Sequence, residues 1–353
     1  MPEPRPADRP AAEPVAVSPA MRLLLAAALR PQAEAADAWA AWVDAVDFER
    51  LEDGATPLLG LVARNLPDLQ AEASIVGRVR GVQRLTWAAN QVLWSAAQPF
   101  LQRLESIAGT PILLPPAALV PAFGDAWGAR PWHRIELGLH PGACADGRAA
   151  LAASGWPVGH LTPRRLAWTE AGLVDRWEVR DAAGNWVSIR WQLLRDLPSA
   201  AVGEQLRGAA IAATVGSVRV HLLHPADALV ERLWNAPGER GPGWMVEVVV
   251  SARQLGGRQP DVERFAARAG ALGIAGVLRE RLAEVASAVD DPSVAAARRA
   301  LDQQRPGALE ALWNLPGPVA GVARNWAAHA AGQGLAAGAR SMVRTHRAVG
   351  RVR

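Results

Sequence analysis

Apolar positions along this chain recur mostly at helical spacing. That period predicts helices over about 20–30, 34–47, 55–66 and 70–107, the second carrying Trp39 and Trp42 and the last Trp87 and Trp94. The pattern then switches to short apolar runs. Strand signals fall at about 111–114, 134–140, 164–169, 176–180 and 186–193. Asp181-Ala182-Ala183-Gly184-Asn185 reads as the turn of a hairpin between the last two. From Pro225 the helical period returns, over about 225–235, 243–255, 260–271, 273–287 and 293–304. Pro316-Gly317-Pro318 breaks the chain before a Trp-bearing helix at about 319–331. The first residues are rich in Pro, Glu, Arg and Ala without any period, as a disordered segment would be. The pattern divides the chain into a disordered 1–18, a helical 19–108, an α/β core at 109–222, a helical 223–305 and C-terminal helices with an Arg-rich tail at 306–353. The fold class expected is α+β, a mixed-sheet core flanked by helical regions on both sides.

Within the core, alternation places side chains. In Trp186-Val187-Ser188-Ile189-Arg190-Trp191, Ser188 and Arg190 share one face, and Val187, Ile189 and Trp191 the other. Arg134, Glu136 and Gly138 share a face of their own strand. If the two strands are neighbours, Arg134, Glu136, Ser188 and Arg190 converge. Upstream, an apolar strand ending at Leu114 enters the turn Pro115-Pro116 and a small-residue helix.

Composition changes the picture little. The 353 residues suffice for a sizeable core, and the net charge is only +4. Every one of the 38 basic residues is Arg, and Tyr is missing. A GC-rich genome accounts for this together with the abundant Ala, Gly and Pro. The pI near 10.7 follows from the pKa of Arg. Nucleic acid is not an expected partner. The single cysteine, Cys144, excludes a disulfide framework and fits a reducing cytoplasm as a small buried side chain. No apolar run reaches the ~18–20 residues that span a bilayer. Leu23 to Leu29 after Met21-Arg22 would make a minimal signal-peptide core, but an amphipathic first helix suits it better.

Other candidate residues have structural readings. His133 lies on the opposite face from Glu136, so a metal site with His133 and His140 is not expected. His221 and His224 sit at a strand-to-helix junction, where capping or packing suits them. Asp227 supports the start of its helix. Trp127 and Trp132 lie near the site as packing residues that could also stack a base. Arg340, Arg344, Arg347, Arg351 and Arg353 form a stripe that could hold an anionic surface.

One resemblance sharpens the functional reading. Leu113-Leu114-Pro115-Pro116-Ala117-Ala118-Leu119 and Arg130-Pro131-Trp132-His133-Arg134-Ile135-Glu136-Leu137 resemble an uncharacterised bacterial nucleotidyltransferase family whose core reads LLKGaaL, then R-P-x-x-D-I-D-L. Val187-Ser188-Ile189-Arg190-Trp191-Gln192-Leu193 resembles its strand h-E-h-H-W-r-L. Leu223-His224-Pro225-Ala226-Asp227-Ala228-Leu229 and Trp244-Met245-Val246-Glu247-Val248 resemble two later helix motifs. The resemblance implies a nucleotidyltransferase-like core over roughly residues 20–290. It also implies that chemical positions are lost. Pro115 and Pro116 replace Lys and Gly, Arg134 replaces the first metal carboxylate, Ser188 a further one and Arg190 a His. Glu136 alone survives, as a vestigial catalytic residue.

Nucleotidyl transfer needs clustered carboxylates to hold Mg²⁺ and backbone N–H groups to hold phosphates. Two prolines remove two such donors. The Arg134–Glu136 pair reads either as an internal ion pair or as part of a metal-free anion pocket with Arg130 and Arg190. The expected protein is a catalytically inactive binding or scaffold protein with no metal and no cofactor. Its partners would be a weakly bound nucleotide or phosphate and a protein not identifiable from sequence. The alternatives are an active enzyme using Mg²⁺ to transfer a nucleotidyl group to a small molecule or protein, and an anionic-surface binder acting through the Arg tail.

Overall fold

The computed structural model describes residues 17–304, apart from 125, 173, 196, 198–199, 237–240 and 257. Most of the segment expected to be disordered, the helix expected at 319–331 and the Arg-rich tail lie outside the described residues.

Four helices open the fold: α1 (Pro19–Leu29), α2 (Gln32–Ala45), α3 (Thr56–Asn65) and α4 (Ala73–Ala108). The Ser18 hydroxyl accepts from the Met21 amide at 2.9 Å, and Pro19 occupies the first turn, where no backbone donor is needed. The apolar positions of α1 are buried from Leu24 through Leu29, so this segment is a core helix.

The sheet has six strands: β1 (Ile112–Leu113), β2 (Ile135–Gly138), β3 (Arg176–Arg180), β4 (Trp186–Arg190), β5 (Ile211–Val215) and β6 (Val218–Leu222). Their order is β3-β4-β2-β1-β6-β5. Strand β2 runs antiparallel to β1 and parallel to β4. Helices α5 (Cys144–Ala153), α6 (Pro163–Glu170) and α7 (Ala200–Gly208) lie between strands in sequence. Five helices follow: α8 (Pro225–Asn235), α9 (Gly243–Gln254), α10 (Gln259–Ala271), α11 (Ala275–Ala288) and α12 (Pro292–Asp302). The α+β class and all nine helices expected in the described region are present.

Three local expectations are corrected. The run expected as a strand at 164–169 is helix α6. Thr162 caps it, accepting from the Arg165 amide at 3.3 Å, and Pro163 supplies the first turn. The segment after Pro115-Pro116 forms two short 3-10 turns, Ala117–Leu119 and Pro121–Phe123, closed by Gly124 at φ 63°. Gly suits that left-handed position. The strand expected at 134–140 is shorter, so Arg134 lies just before β2. Helices α5 and α7 and the β5–β6 hairpin were not anticipated. Gly216-Ser217 is the hairpin's two-residue loop, with Gly216 at φ 57°.

Two apolar cores result. Ile135 and Leu137 of β2 and Val187 and Ile189 of β4 pack with Trp94, Phe100 and Leu101 of α4 and Leu151 of α5. The second core joins both helical regions: α1, α2 and α3 bury Leu24, Trp39, Trp42 and Leu59 with Leu229, Val248, Phe265 and Leu282 of the later helices. The two regions expected as separate segments therefore share one interior. The opposite sheet face, bearing Glu136, Ser188 and Arg190, lies against α8 (see below).

Asn90 of α4 pins the segment that enters β2. Its amide donates to the carbonyls of Trp127 and Arg130, both at 2.7 Å, and its oxygen accepts from the Trp132 amide at 2.9 Å. Gly60 of α3 closes on the same segment, where a Cβ would sit 2.4 Å from the Gly128 carbonyl oxygen. We expect Asn90→Ala to lower stability by roughly 2–4 kcal/mol, because each buried backbone group left unpaired costs about 1–3 kcal/mol. Chemical denaturation measures this; a loss under about 0.5 kcal/mol would show that the segment holds itself.

Candidate functional site

Strand pairing brings Glu136, Ser188 and Arg190 together, and Arg134 reaches Glu136 from just before β2. Glu136 of β2 is the register partner of Ser188 of β4, and Gly138 that of Arg190. Arg176 of β3 is in turn the partner of Arg190, and Glu178 that of Ser188. Side chains at partnered positions share a face, so Glu136, Ser188, Arg190, Arg176 and Glu178 form one polar patch. Gly138 lets it close, since a Cβ there would lie 2.4 Å from Leu193 Cδ2.

Glu136 is 4 % exposed and Arg190 5 %. Arg134 Nε donates to Glu136 Oε1 at 2.6 Å, and Arg190 pairs with Oε2. Burial alone would raise the Glu136 pKa. The charges of Arg190, Arg134 and Arg176 outweigh it and hold the carboxyl below its ordinary range. Arg190 Nη1 reaches Glu231 Oε1 on α8 at 2.7 Å. Burial acts to lower the Arg190 pKa, but Glu136 and Glu231 override it and raise it.

Glu231 also accepts from Asn235 Nδ2 at 2.7 Å, and that amide donates to the Leu193 carbonyl at 2.8 Å. Asn235 Oδ1 accepts from the Arg195 amide at 3.0 Å. Thus α8 holds both the charged patch and the chain leaving β4. Arg207 of α7 adds donors to the Leu139 and Trp191 carbonyls at 3.0 and 3.2 Å, tying the ends of β2 and β4 together.

Arg130 is not part of this patch. Its Nε donates to Glu247 of α9 at 2.9 Å, and Glu247 also pairs with Arg232 of α8 at 2.8 Å. Trp127 and Trp132 pack on each other and on Trp94, with centroids 5.1 to 6.2 Å apart. The carboxylate Glu231 was missed as a member of the site, and Glu247 as the partner that draws Arg130 away from it. Each stands in a helix buried on nearly every side, and a charge in such a run needs a partner. That was the available signal.

The other candidates have structural roles. His224 caps α8 by accepting from the Ala226 amide. Asp227 sits in the first turn of α8, fully buried between Arg264 and Arg268 of α10. His133 and His140 are exposed. Cys144 is buried, and that burial, with Glu170 beside it, pushes its thiol up to about 11. A neutral thiol is a poor nucleophile.

Mg²⁺ does not fit these residues. Both oxygens of Glu136 already face guanidinium groups, and Arg134 adds a cation where a ligand would be needed. The patch suits an anion better. Arg134 is 30 % exposed at its side chain and forms its outer edge. Arg176 pairs with Glu178 only at 3.5 Å, and burial, with Arg190 beside it, lowers its pKa. Arg195 has no ion pair among the described residues. The Ser188 hydroxyl is buried and has no hydrogen-bond partner among them. No protein-family model matches this chain, and no curated protein or solved structure does.

The depressed Glu136 pKa has a sign. Stability from its ion pairs is fully present above the ordinary glutamate value, about 4.3, and is lost as pH falls through the lower folded value. Wild type should exceed Glu136→Gln in melting temperature at pH 7, and the gap should narrow below about pH 4. A gap that stays constant down to pH 2.5 would mean that Glu136 is not ionised in the fold.

Proposed function

We propose that this chain is a catalytically silent relative of the nucleotidyltransferases whose former metal site binds a phosphate-bearing anion without metal. The observation that carries the reading is the clamping of Glu136 between Arg134 and Arg190. The surviving carboxylate is spent on protein cations, so it is not free for Mg²⁺. Around it, Arg134, Arg176 and Arg195 offer donors, with the unpaired Ser188 hydroxyl beneath them. Arg groups recognise phosphate through paired, charge-assisted hydrogen bonds.

The order of parts supports the kinship: a short strand, a tight turn, an antiparallel strand bearing position 136 with position 134 just before it, and a neighbouring parallel strand bearing position 188. At the turn Pro115 and Pro116 supply no N–H to a phosphate, and their peptide is cis. Two backbone donors that could help cradle a triphosphate are missing at these positions. Binding would rest on side chains alone, which favours a small anion such as phosphate or pyrophosphate held weakly.

Titration calorimetry with pyrophosphate, in EDTA and in Mg²⁺, tests this. We expect binding that EDTA does not weaken, reduced about tenfold by Arg134→Ala or Arg176→Ala, since a hydrogen bond to a charged group contributes about 1.5–3 kcal/mol. No pyrophosphate should be released from any of the four NTPs. Binding that requires Mg²⁺, or turnover abolished by Glu136→Ala, would overturn the proposal.

A further inference from the structure

A cleft of about 320 Å³ lies where α1, α3 and α9 end beside the 3-10 turn Pro121–Phe123. None of its lining residues belongs to the ion-pair network around Glu136. One wall is apolar, with Leu29, Leu61, Phe123 and Val250 buried along it, and Arg64, Asn65, Arg253 and Gln254 supply the polar part. Its volume is at the small end of the range for ligand pockets.

Three helices ending together bring a surplus of backbone carbonyls, which normally makes such a place electronegative. Here those acceptors are already taken. The Asn65 amide donates to the carbonyls of Ala27 and Arg30, each at 2.9 Å. Arg253 donates to the Leu29 carbonyl, and its charge is matched by Asp291, 2.7 Å away. The amides of Arg30 and Leu66 fill the carbonyls of Ala26 and Val62.

Arg64 is different. Its Nε donates to the Phe123 carbonyl at 2.9 Å, and its guanidinium carbon lies 5.4 Å from the centre of the Phe123 ring. These contacts fix the group without neutralising it. Among the described residues no carboxylate pairs with it, and its terminal nitrogens have no acceptor. Arg64 is exposed to solvent on one side, and partial burial against the cleft wall lowers its pKa. The cleft thus offers one positive charge, spare donors and an apolar wall.

We propose that this cleft binds a small organic monocarboxylate with an apolar body. The carboxylate pairs with the terminal nitrogens of Arg64, and the hydrocarbon or aromatic part lies against Leu61, Val250 and Phe123. Inorganic phosphate fits it poorly, because it would leave the apolar wall uncovered and would bring a second charge with no second unpaired cation among the described lining residues to meet it.

The test is a titration of the full chain with benzoate and hexanoate, with benzamide as the uncharged control, followed by calorimetry or ligand-observed NMR. We expect saturable one-to-one benzoate binding, with benzamide at least tenfold weaker. Arg64→Gln should weaken benzoate at least tenfold, and Ala122→Trp, which fills the cleft from the turn, should abolish binding. Both variants should keep the wild-type response to pyrophosphate, and Arg134→Ala should keep the wild-type response to benzoate. Equal binding of benzamide, an unchanged affinity in Arg64→Gln, or no saturable benzoate binding would overturn the proposal. Because pyrophosphate and benzoate report on different sites, failure of one leaves the other standing.

Discussion

A carboxylate removed from water costs several kcal/mol unless cations and hydrogen bonds replace its hydration. Glu136 is buried where a sheet face, helix α8 and the chain leaving β4 meet, and the surrounding structure is organised around that cost. Arg134 and Arg190 face its two oxygens. Arg190, itself buried, then needs a second carboxylate, and Glu231 provides it from α8. Glu231 shares its oxygen with Asn235, whose other bonds hold the backbone of Leu193 and Arg195. One buried charge thus propagates into a chain of contacts from the middle of the sheet to the later helices.

A second chain runs beside it, from Arg130 through Glu247 to Arg232. Arg130 lies on the segment that Asn90 pins to α4. The segment entering β2 is therefore fixed twice, by an amide from the N-terminal region and by a carboxylate from the C-terminal region. Apolar packing has the same consequence: α1 to α3 and α8 to α12 share an interior, with the sheet and α4 forming the other core. The later helices complete the charged patch, so they are as much a part of the candidate site as the strands.

The helices were legible because their apolar positions hold a steady period over several turns; side-chain caps at Ser18, His224 and Asp291 mark the starts of three of them. The convergence of residues 136, 188 and 190 was legible from alternation in two short strands, and Arg134 joins them from just before β2. Where reading failed, local chemistry outweighed pattern. Arg164 to Thr169 has a strand-like alternation, but Thr162-Pro163 is a helix start. Ala212 to Thr214 is small and weakly apolar, and three of the five residues of β5 are exposed, so only Gly216-Ser217 marked a hairpin. The roles of Arg130 and Arg190 depended on Glu247 and Glu231, more than forty positions away in the chain for Arg190 and over a hundred for Arg130. No local pattern shows which distant carboxylate a buried cation will meet; only the lone acid in an apolar helix signals that a partner exists.

The central claim is that the buried pairing of Arg190 with Glu231 fastens the sheet to the later helices. A double-mutant cycle with Arg190→Met, Glu231→Leu and the double variant, followed by chemical denaturation, measures that pairing directly. The account predicts that each single change is severely destabilising, because it strands a buried charge, and that the double variant is more stable than the sum implies, with a coupling of about 1.5–3 kcal/mol. Coupling within about 0.3 kcal/mol of zero would contradict it, showing that the two side chains are neighbours whose pairing does not hold the fold together.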